Sequence, residues 1–393
     1  MNKKKIVIHG CTGLKNSGDE AILQTIAEQL GEEYEITAIS KDADYSRKMH
    51  PGIRVIPDEK KICRDAIDQC QLFVLGGGGL LQDETTIFNV AVWLRYLRYA
   101  RRRGKKICIY ANSIGPVHSR WNRALIRKHL QGVDLITLRD ENSAKLLEEI
   151  GIGGKEKVYV TADPVFSMSW EREDRGQPGQ RAGRGEEYVC MALRHWFDMV
   201  PFIPARICSK YDIRKPGDRR RYQAYVQAMA ECTEYINREL GCGVHFLSFY
   251  YGRDEKVARD VMARVKPVKG IKNKLTAGEY LTPGEVMNEI AGARFLVGMR
   301  LHSIIYAIKA GVPSVIIDYS SKVGGMARLN GLSAYSVRIS ELSADKLKEK
   351  IGLLLQDEAV LRKQLAGQQH MMEQREKENK RLVDKLQEDC GPQ

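Results

Sequence analysis

No stretch of this 393-residue chain is apolar over anything near the roughly 20 residues that a bilayer-spanning helix needs, which argues against an integral membrane protein. The first apolar run stops at His9-Gly10, too short for the core of a signal peptide, and reads instead as an opening strand. The nine cysteines, an odd number, include no C-x-x-C, so neither a zinc ribbon nor a disulfide framework is visible. Free thiols behind no signal peptide predict a reducing cytoplasm. The G-x-G-x-x-G fingerprint and the P-loop G-K-[ST] are both missing, which weakens any nucleotide-binding claim from glycine loops. No nucleic-acid motif and no basic strand interleaved with aromatics is present, so nucleic acid is not expected as a partner.

What is there is globular. Hydrophobic residues make up 43% and charged residues 29%, and the formal net charge is +13. The basic excess favours anionic partners without choosing among them. Short apolar runs such as Leu72–Leu75, Leu135–Leu138 and Tyr188–Leu193 alternate with helical patterns such as Asp19–Leu30, Val90–Arg103 and Arg220–Leu240. That alternation predicts α/β architecture with parallel sheets: two Rossmann-like, doubly wound domains with a cleft between them. The first domain is expected over residues 1–169. A linker without apolar periodicity covers 170–187, and the second domain follows over 188–340. Residues 341–393 read as charged helices with a break near Gly367, and 194–218 as a long loop rich in aromatics and proline.

Ligands of doubly wound sheets sit beyond the carboxyl ends of the strands, so the loops after strands deserve the closest reading. Gly10–Glu20 is such a loop, with Asn16 and Asp19 before a helix; the alternative is a glycine turn capped by Asp19. Gly76–Gly79, with Gly77 and Gly78 at its centre, reads as a loop whose backbone can approach a ligand, the alternative being tight helix packing. Arg139 ends a strand and suits a carboxylate or phosphate, or else an ion pair with Asp140 or Glu141. Asp163 either orients a hydroxyl or holds a turn, and Pro164 keeps it extended. Arg300 and His302 stand where a strand turns into a helix, a place for an imidazole that exchanges protons or for one that merely packs. Lys322 at a helix start opposes the dipole, which marks it as a candidate for function. Phe88–Lys106 makes an amphipathic helix with a basic end: a solvated face, or one that rests on anionic lipid at the inner side of a membrane.

Six stretches taken together resemble the polysaccharide pyruvyltransferase family. They are Gly13–Leu23, Leu75–Leu81, Ser113-Ile-Gly-Pro116, Thr137-Leu-Arg-Asp-Glu141, Thr161-Ala-Asp-Pro-Val-Phe166 and Met299-Arg-Leu-His-Ser303, in family order over residues 6 to 332. The chain is similar in particular to the CsaB-type enzymes, which pyruvylate lipid-linked precursors of secondary cell-wall polymers. The resemblance implies a fold like that of GT-B glycosyltransferases and transfer of pyruvate from phosphoenolpyruvate onto two hydroxyls of one sugar, as a cyclic ketal, without a cofactor. It implies Arg139, His302 and Lys322 as donor-binding and catalytic residues and a lipid-linked or nucleotide-linked saccharide as acceptor. Asn16, Asp19, Gly77, Gly78, Asp163 and Arg300 are left to line the acceptor side or the loops. The chain departs from its relatives after Lys322, where Val-Gly-Gly-Met replaces acidic and bulky apolar residues. A GT-B glycosyltransferase using a nucleotide sugar is the alternative enzyme, and a non-catalytic envelope-assembly protein the alternative of another class.

Overall fold

Aliphatic and β-branched runs become parallel strands buried on both faces, and the amphipathic segments between them become helices that cover those faces. The computed structural model describes residues 3–153, 157–173, 187–197, 207–208, 211–276 and 280–388. The chain divides into two units, Met1–Ser169 with Met371–Gln393, and Trp170–His370. Most of the segment expected as a linker, and the middle of the expected loop at 194–218, lie outside the described residues.

The first unit contains β1 (Lys4–His9), α1 (Ser17–Leu30), β2 (Tyr34–Ser40), α2 (Ala43–Met49), β3 (Arg54–Pro57), α3 (Lys60–Gln69) and β4 (Leu72–Leu81). It continues with α4 (Asn89–Arg102), β5 (Lys106–Ile114), α5 (Arg120–Leu130), β6 (Leu135–Leu138), α6 (Glu141–Glu149) and β7 (Val158–Val160). The strands form one parallel sheet in the order β3-β2-β1-β4-β5-β6-β7. Chain direction across the sheet reverses between β1 and β4, which is where such folds open a crevice. The loop after β1 and the glycine run of β4 meet at that point.

The glycine run is not a loop. Strand β4 continues through Gly76–Gly79 to Leu81, with Gly76 opposite Tyr110, Gly78 opposite Asn112 and a register shift before Leu81. Gly77 and Gly78 have φ of 46° and 88°, so the strand kinks while its ladder persists.

The second unit contains β8 (Tyr188–Ala192), α7 (Pro216–Glu239), β9 (Gly243–Phe246), α8 (Asp254–Met262), β10 (Lys274–Leu275), α9 (Pro283–Ala291) and β11 (Leu296–Gly298). It ends with α10 (Leu301–Ala310), β12 (Ser314–Asp318), α11 (Ser321–Leu329), β13 (Ser336–Arg338) and α12 (Ala344–Gln356). Its sheet runs β10-β9-β8-β11-β12-β13, with the same reversal, here between β8 and β11. Local chemistry sets several boundaries. Helix α9 opens with Pro283 at its first turn behind a Thr282–Glu285 capping box, and α7 begins at Pro216, four residues before the expected Arg220.

The last helix, α13 (Glu358–Glu388), runs through Gly367 without interruption. Gly367 is exposed and a side chain there would meet nothing, so it weakens the helix without ending it. The break falls at Asp357, the C-cap of α12.

Candidate functional site

In the first unit the carboxyl edge of the sheet is built from the loop after β1, the kinked glycines of β4 and the residues that follow β6 and β7. Asn16, rather than Asp19, caps α1: its side chain accepts from the Gly18 N–H at 3.1 Å. Asp19 lies in the first turn, where a carboxylate suits the dipole. Glu20 is buried and ties the loop down, accepting from the Gly13 N–H at 2.9 Å and meeting His50 Nε2 at 2.8 Å. At Gly77 a Cβ would strike the Ile22 side chain of α1, and at Gly78 it would come within 3.2 Å of Asp19 Oδ1. Gly77 therefore serves close helix packing, and Gly78 borders the Asp19 carboxylate.

Arg139 follows β6 directly and is only 5% exposed. Its Nη1 is paired with Asp163 Oδ2, and its Nε donates to Ser113 Oγ at 2.8 Å. The expected ion pair with Asp140 or Glu141 is thus replaced by one with Asp163. Asp140 instead caps α6 and accepts from Ser113 Oγ at 2.6 Å, so that it steadies the hydroxyl under the guanidinium. Asp163 also accepts from the Val165 N–H at 3.1 Å, capping the short 3₁₀ turn Pro164–Ser167, and is extended as its proline requires. It both holds the turn and orients Arg139. Burial, then the Asp19 and Glu20 carboxylates, push the Cys11 thiol well up, and Arg139 works against them. The loop after β1 and Arg139 therefore share one electrostatic neighbourhood, and Cys11 stays a neutral thiol.

In the second unit Arg300 sits at the N-cap of α10, with Nε 3.0 Å from Asp254 Oδ2 and Nη2 paired with Asp254 Oδ1. Burial alone would lower its pKa; Asp254 more than offsets this and raises it. His302 is buried in the first turn of α10, and Lys322, half-buried, holds the matching position in α11. β11 and β12 are neighbours, so the three residues share one carboxyl edge. A Cβ at Gly324 would run into the Asp318 carboxylate at 2.5 Å, so the small residues after Lys322 let α11 close over Asp318. Beside them, Arg194 lies 4.8 Å from the ring centres of both Trp196 and Tyr319.

The nine candidates thus fall into two groups: Asn16, Asp19, Gly77, Gly78, Arg139 and Asp163 on the first unit, and Arg300, His302 and Lys322 on the second. Four supporting residues are not among the candidates singled out in the sequence, although Glu20 and Ser113 lie in stretches that carry the family resemblance. Ser113 and Asp254 look in sequence like ordinary polar residues at element ends. Glu20 looks like a helix-start acid. Asn112 shows nothing until its environment is known: its Nδ2 donates to the Leu75 carbonyl at 2.9 Å, and its Oδ1 is buried with no hydrogen-bond partner among the described residues. Among the described residues no cluster of His, Cys, Asp or Glu is placed to hold a metal ion, and no helix is long and apolar enough to cross a membrane.

Two parallel sheets of seven and six strands that follow the same order over their first six, each with its polar residues at the carboxyl edge, define a GT-B-like α/β fold. Within that class the chain belongs to the polysaccharide pyruvyl transferase family, whose model matches residues 16–321. The amylovoran biosynthesis protein AmsJ of Erwinia amylovora is 23% identical over 278 residues, 67% of this chain and 61% of that protein. The chain therefore spans less than two thirds of the length of this curated relative. HepE of Anabaena, solved with UDP-glucose, is similar in structure with a TM-score of 0.61 at 13% identity, over 98% of this chain and 100% of that one. The UDP-GlcNAc 2-epimerase of Neisseria meningitidis, solved with UDP-GlcNAc, has a TM-score of 0.58 at 9% identity, over the same shares. At such identities the likeness is one of fold.

Proposed function

We propose that this protein transfers pyruvate from phosphoenolpyruvate onto two hydroxyls of one sugar, forming a cyclic ketal during exopolysaccharide or cell-wall polymer biosynthesis. The observation that carries the reading is the family match across residues 16–321, which includes Arg139 and His302 and ends one residue before Lys322. The chemistry accounts for those residue types. Phosphoenolpyruvate carries a carboxylate and a phosphate, and two oriented cations suit it. Arg139 is already fixed in direction by Asp163 and Ser113, so little ordering remains on binding. Lys322 supplies an ammonium, a compact point charge on a four-carbon stem.

Protonation of the donor's methylene carbon makes the adjacent carbon electrophilic, and a sugar hydroxyl adds there and gives up its proton. Phosphate then leaves, and the second hydroxyl closes the ring on the same carbon. The products are the ketal and inorganic phosphate; no oxidant or reductant is consumed. His302 is assigned the proton exchange, as donor to the methylene or acceptor from the hydroxyl. Asp19 and Asp163 are the carboxylates on the first unit for a second proton step. The test is incubation with phosphoenolpyruvate and lipid-linked or nucleotide-linked saccharides. The expected product has gained one pyruvate less one water, with one phosphate released; saccharides that stay unchanged while the donor persists would count against the reaction.

A second reading, a glycosyltransferase fed by a nucleotide sugar, is favoured by one observation: HepE and the epimerases of similar fold were solved with UDP or UDP-sugars. Calorimetry separates the two. Heat on adding phosphoenolpyruvate and none with UDP-glucose supports the first reading; the converse supports the second.

A further inference from the structure

The charge of this protein is concentrated in one place. Residues 85–133 contain eleven Lys and Arg and no Asp or Glu, against a net charge of +13 for the whole chain. This segment supplies α4 and α5, which pack side by side on one face of the first sheet. Arg98, Arg102, Arg120, Arg127 and Lys128 form no ion pair among the described residues, whereas Arg95 and Arg103 of the same region are paired with Asp58 and Asp68. Arg101 donates to the Lys128 carbonyl at 3.2 Å, which brings the basic ends of the two helices together. His129 between them records the result: burial, then Arg98, Lys128, Arg101 and Arg102, push its pKa down to about 4.

The other end of the same helix pair is apolar and open. Phe88 is 67% exposed and Trp121 65%, with Ile87 and Val92 also exposed. They form one patch because the entries to α4 and α5 are stitched together. Asp83 accepts from the N–H groups of His118 at 2.9 Å and Ser119 at 2.8 Å, and Asn122 donates to the Ile87 carbonyl at 3.0 Å. Burial opposes the ionisation of Asp83, but these donors hold its carboxyl below the ordinary range, so the stitch is a charged one. Trp121 and Phe88 are thus presented on ordered backbone rather than on a loose loop. Helix α4 itself reads Phe88, Val92, Arg95, Arg98, Arg102 along one stripe, apolar at the start and basic at the end.

From this arrangement we infer that the α4–α5 face docks on an anionic lipid bilayer, with Ile87, Phe88, Val92 and Trp121 entering the headgroup region and the unpaired arginines lying over the lipid phosphates. Charge complementarity selects the partner's sign. The exposed aliphatic and aromatic side chains select a bilayer over nucleic acid, on which Ile87 and Val92 would gain nothing. Tryptophan beside arginine is the pairing that a membrane interface favours. The inference stands apart from the reaction proposed above, since it concerns binding alone.

The test is sedimentation of the full chain with vesicles of phosphatidylglycerol mixed with phosphatidylcholine, and with phosphatidylcholine alone. Binding is expected to the first and not to the second, and to weaken with added salt. Phe88→Ser with Trp121→Ser should weaken it roughly tenfold or more. Arg98→Gln and Arg102→Gln should each weaken it about fivefold. All four side chains are exposed, so thermal unfolding should stay close to that of the parent and loss of binding would not reflect loss of fold. No sedimentation with the anionic vesicles overturns the inference. So does binding that survives both sets of substitutions, or a loss confined to a duplex nucleic-acid probe or to self-association.

Discussion

Arg139 and Asp163 form a buried ion pair at the carboxyl edge of the first sheet: Nη1 of one meets Oδ2 of the other, with Asp163 fully buried. The pair joins the residue after β6 to the residue that caps the turn after β7. A candidate donor-binding arginine is therefore also a structural element.

Removing one partner should cost more stability than removing both. Arg139→Gln or Asp163→Asn alone leaves a buried group without its counter-charge or its bond, at about 3–5 kcal/mol. The double variant should recover part of that loss. Urea unfolding of the three variants checks it; equal, additive losses would mean that the pair is not coupled. Every Arg139 variant should still lose pyruvyl transfer by ~10²-fold or more, measured well below its unfolding midpoint.

His302→Ala should lower turnover by ~10²-fold or more with the donor KM little changed, because the imidazole is assigned proton exchange. Lys322→Ala should chiefly raise the donor KM, because its ammonium is assigned binding. Steady-state kinetics over donor concentration distinguish the two. Near-parental turnover in the first, or an unchanged KM in the second, removes that assignment.

Acid stability should depend on buried groups that act in opposite directions. His9 is buried against the rings of Trp93 and Tyr96, each with its centre 5.0 Å away, and burial pushes its pKa down to about 3. Below the ordinary histidine value of about 6.5 the unfolded chain binds a proton that the native state refuses, so stability falls with falling pH by about 1.4 kcal/mol per unit. Glu376 on α13 is pushed up to about 7, first by burial, against hydrogen bonds from Gln29 and Asn379. Between pH 7 and about 4.5 the native state holds a proton that the unfolded chain has lost, so stability rises as pH falls. The slopes oppose each other between about pH 4.5 and 6.5. His129, pushed down to about 4, acts in the same direction as His9. His9→Phe should therefore lose less stability than the parent on acidification, and Glu376→Gln should lose more. Unfolding midpoints at pH 7 and pH 5 read both; identical profiles for the two variants would contradict the account.

Two glycines should respond oppositely to alanine. At Gly77 the new Cβ meets Ile22 and φ is 46°, so a loss of about 1–3 kcal/mol is expected. At Gly367 nothing lies within reach and the backbone is helical, so a gain of up to about 1 kcal/mol is expected. Thermal unfolding of the two variants decides it, and a stabilised Gly77→Ala would mean that the kink is not packed as described.

The alternation of strands and helices was legible because buried parallel strands are short aliphatic runs bounded by polar segments. The edge strand β3 was not, since four residues ending in Pro57 carry little pattern. The glycine run was misread for a physical reason: glycine is poor in strands, and only pairing with β5 keeps Gly76–Gly79 in the ladder. Arg139 could be placed at a strand end from its neighbours. Its partner could not, because Asp163 is 24 residues away and comes beside it only through the pairing of β6 with β7. Asp254 is hidden in the same way, reading as a first-turn acid until Arg300 is seen against it.

The central proposal is that the protein binds phosphoenolpyruvate and that Arg139 and Lys322 each contribute to that binding. Titration of phosphoenolpyruvate into the parent protein, Arg139→Gln, Lys322→Ala and their double variant, followed by calorimetry, tests it without needing the acceptor. The account predicts binding by the parent, a weakening of about tenfold or more in each single variant, and none measurable in the double. A parent protein that gives no heat with phosphoenolpyruvate, or a Lys322→Ala variant that binds it as tightly as the parent, would contradict it.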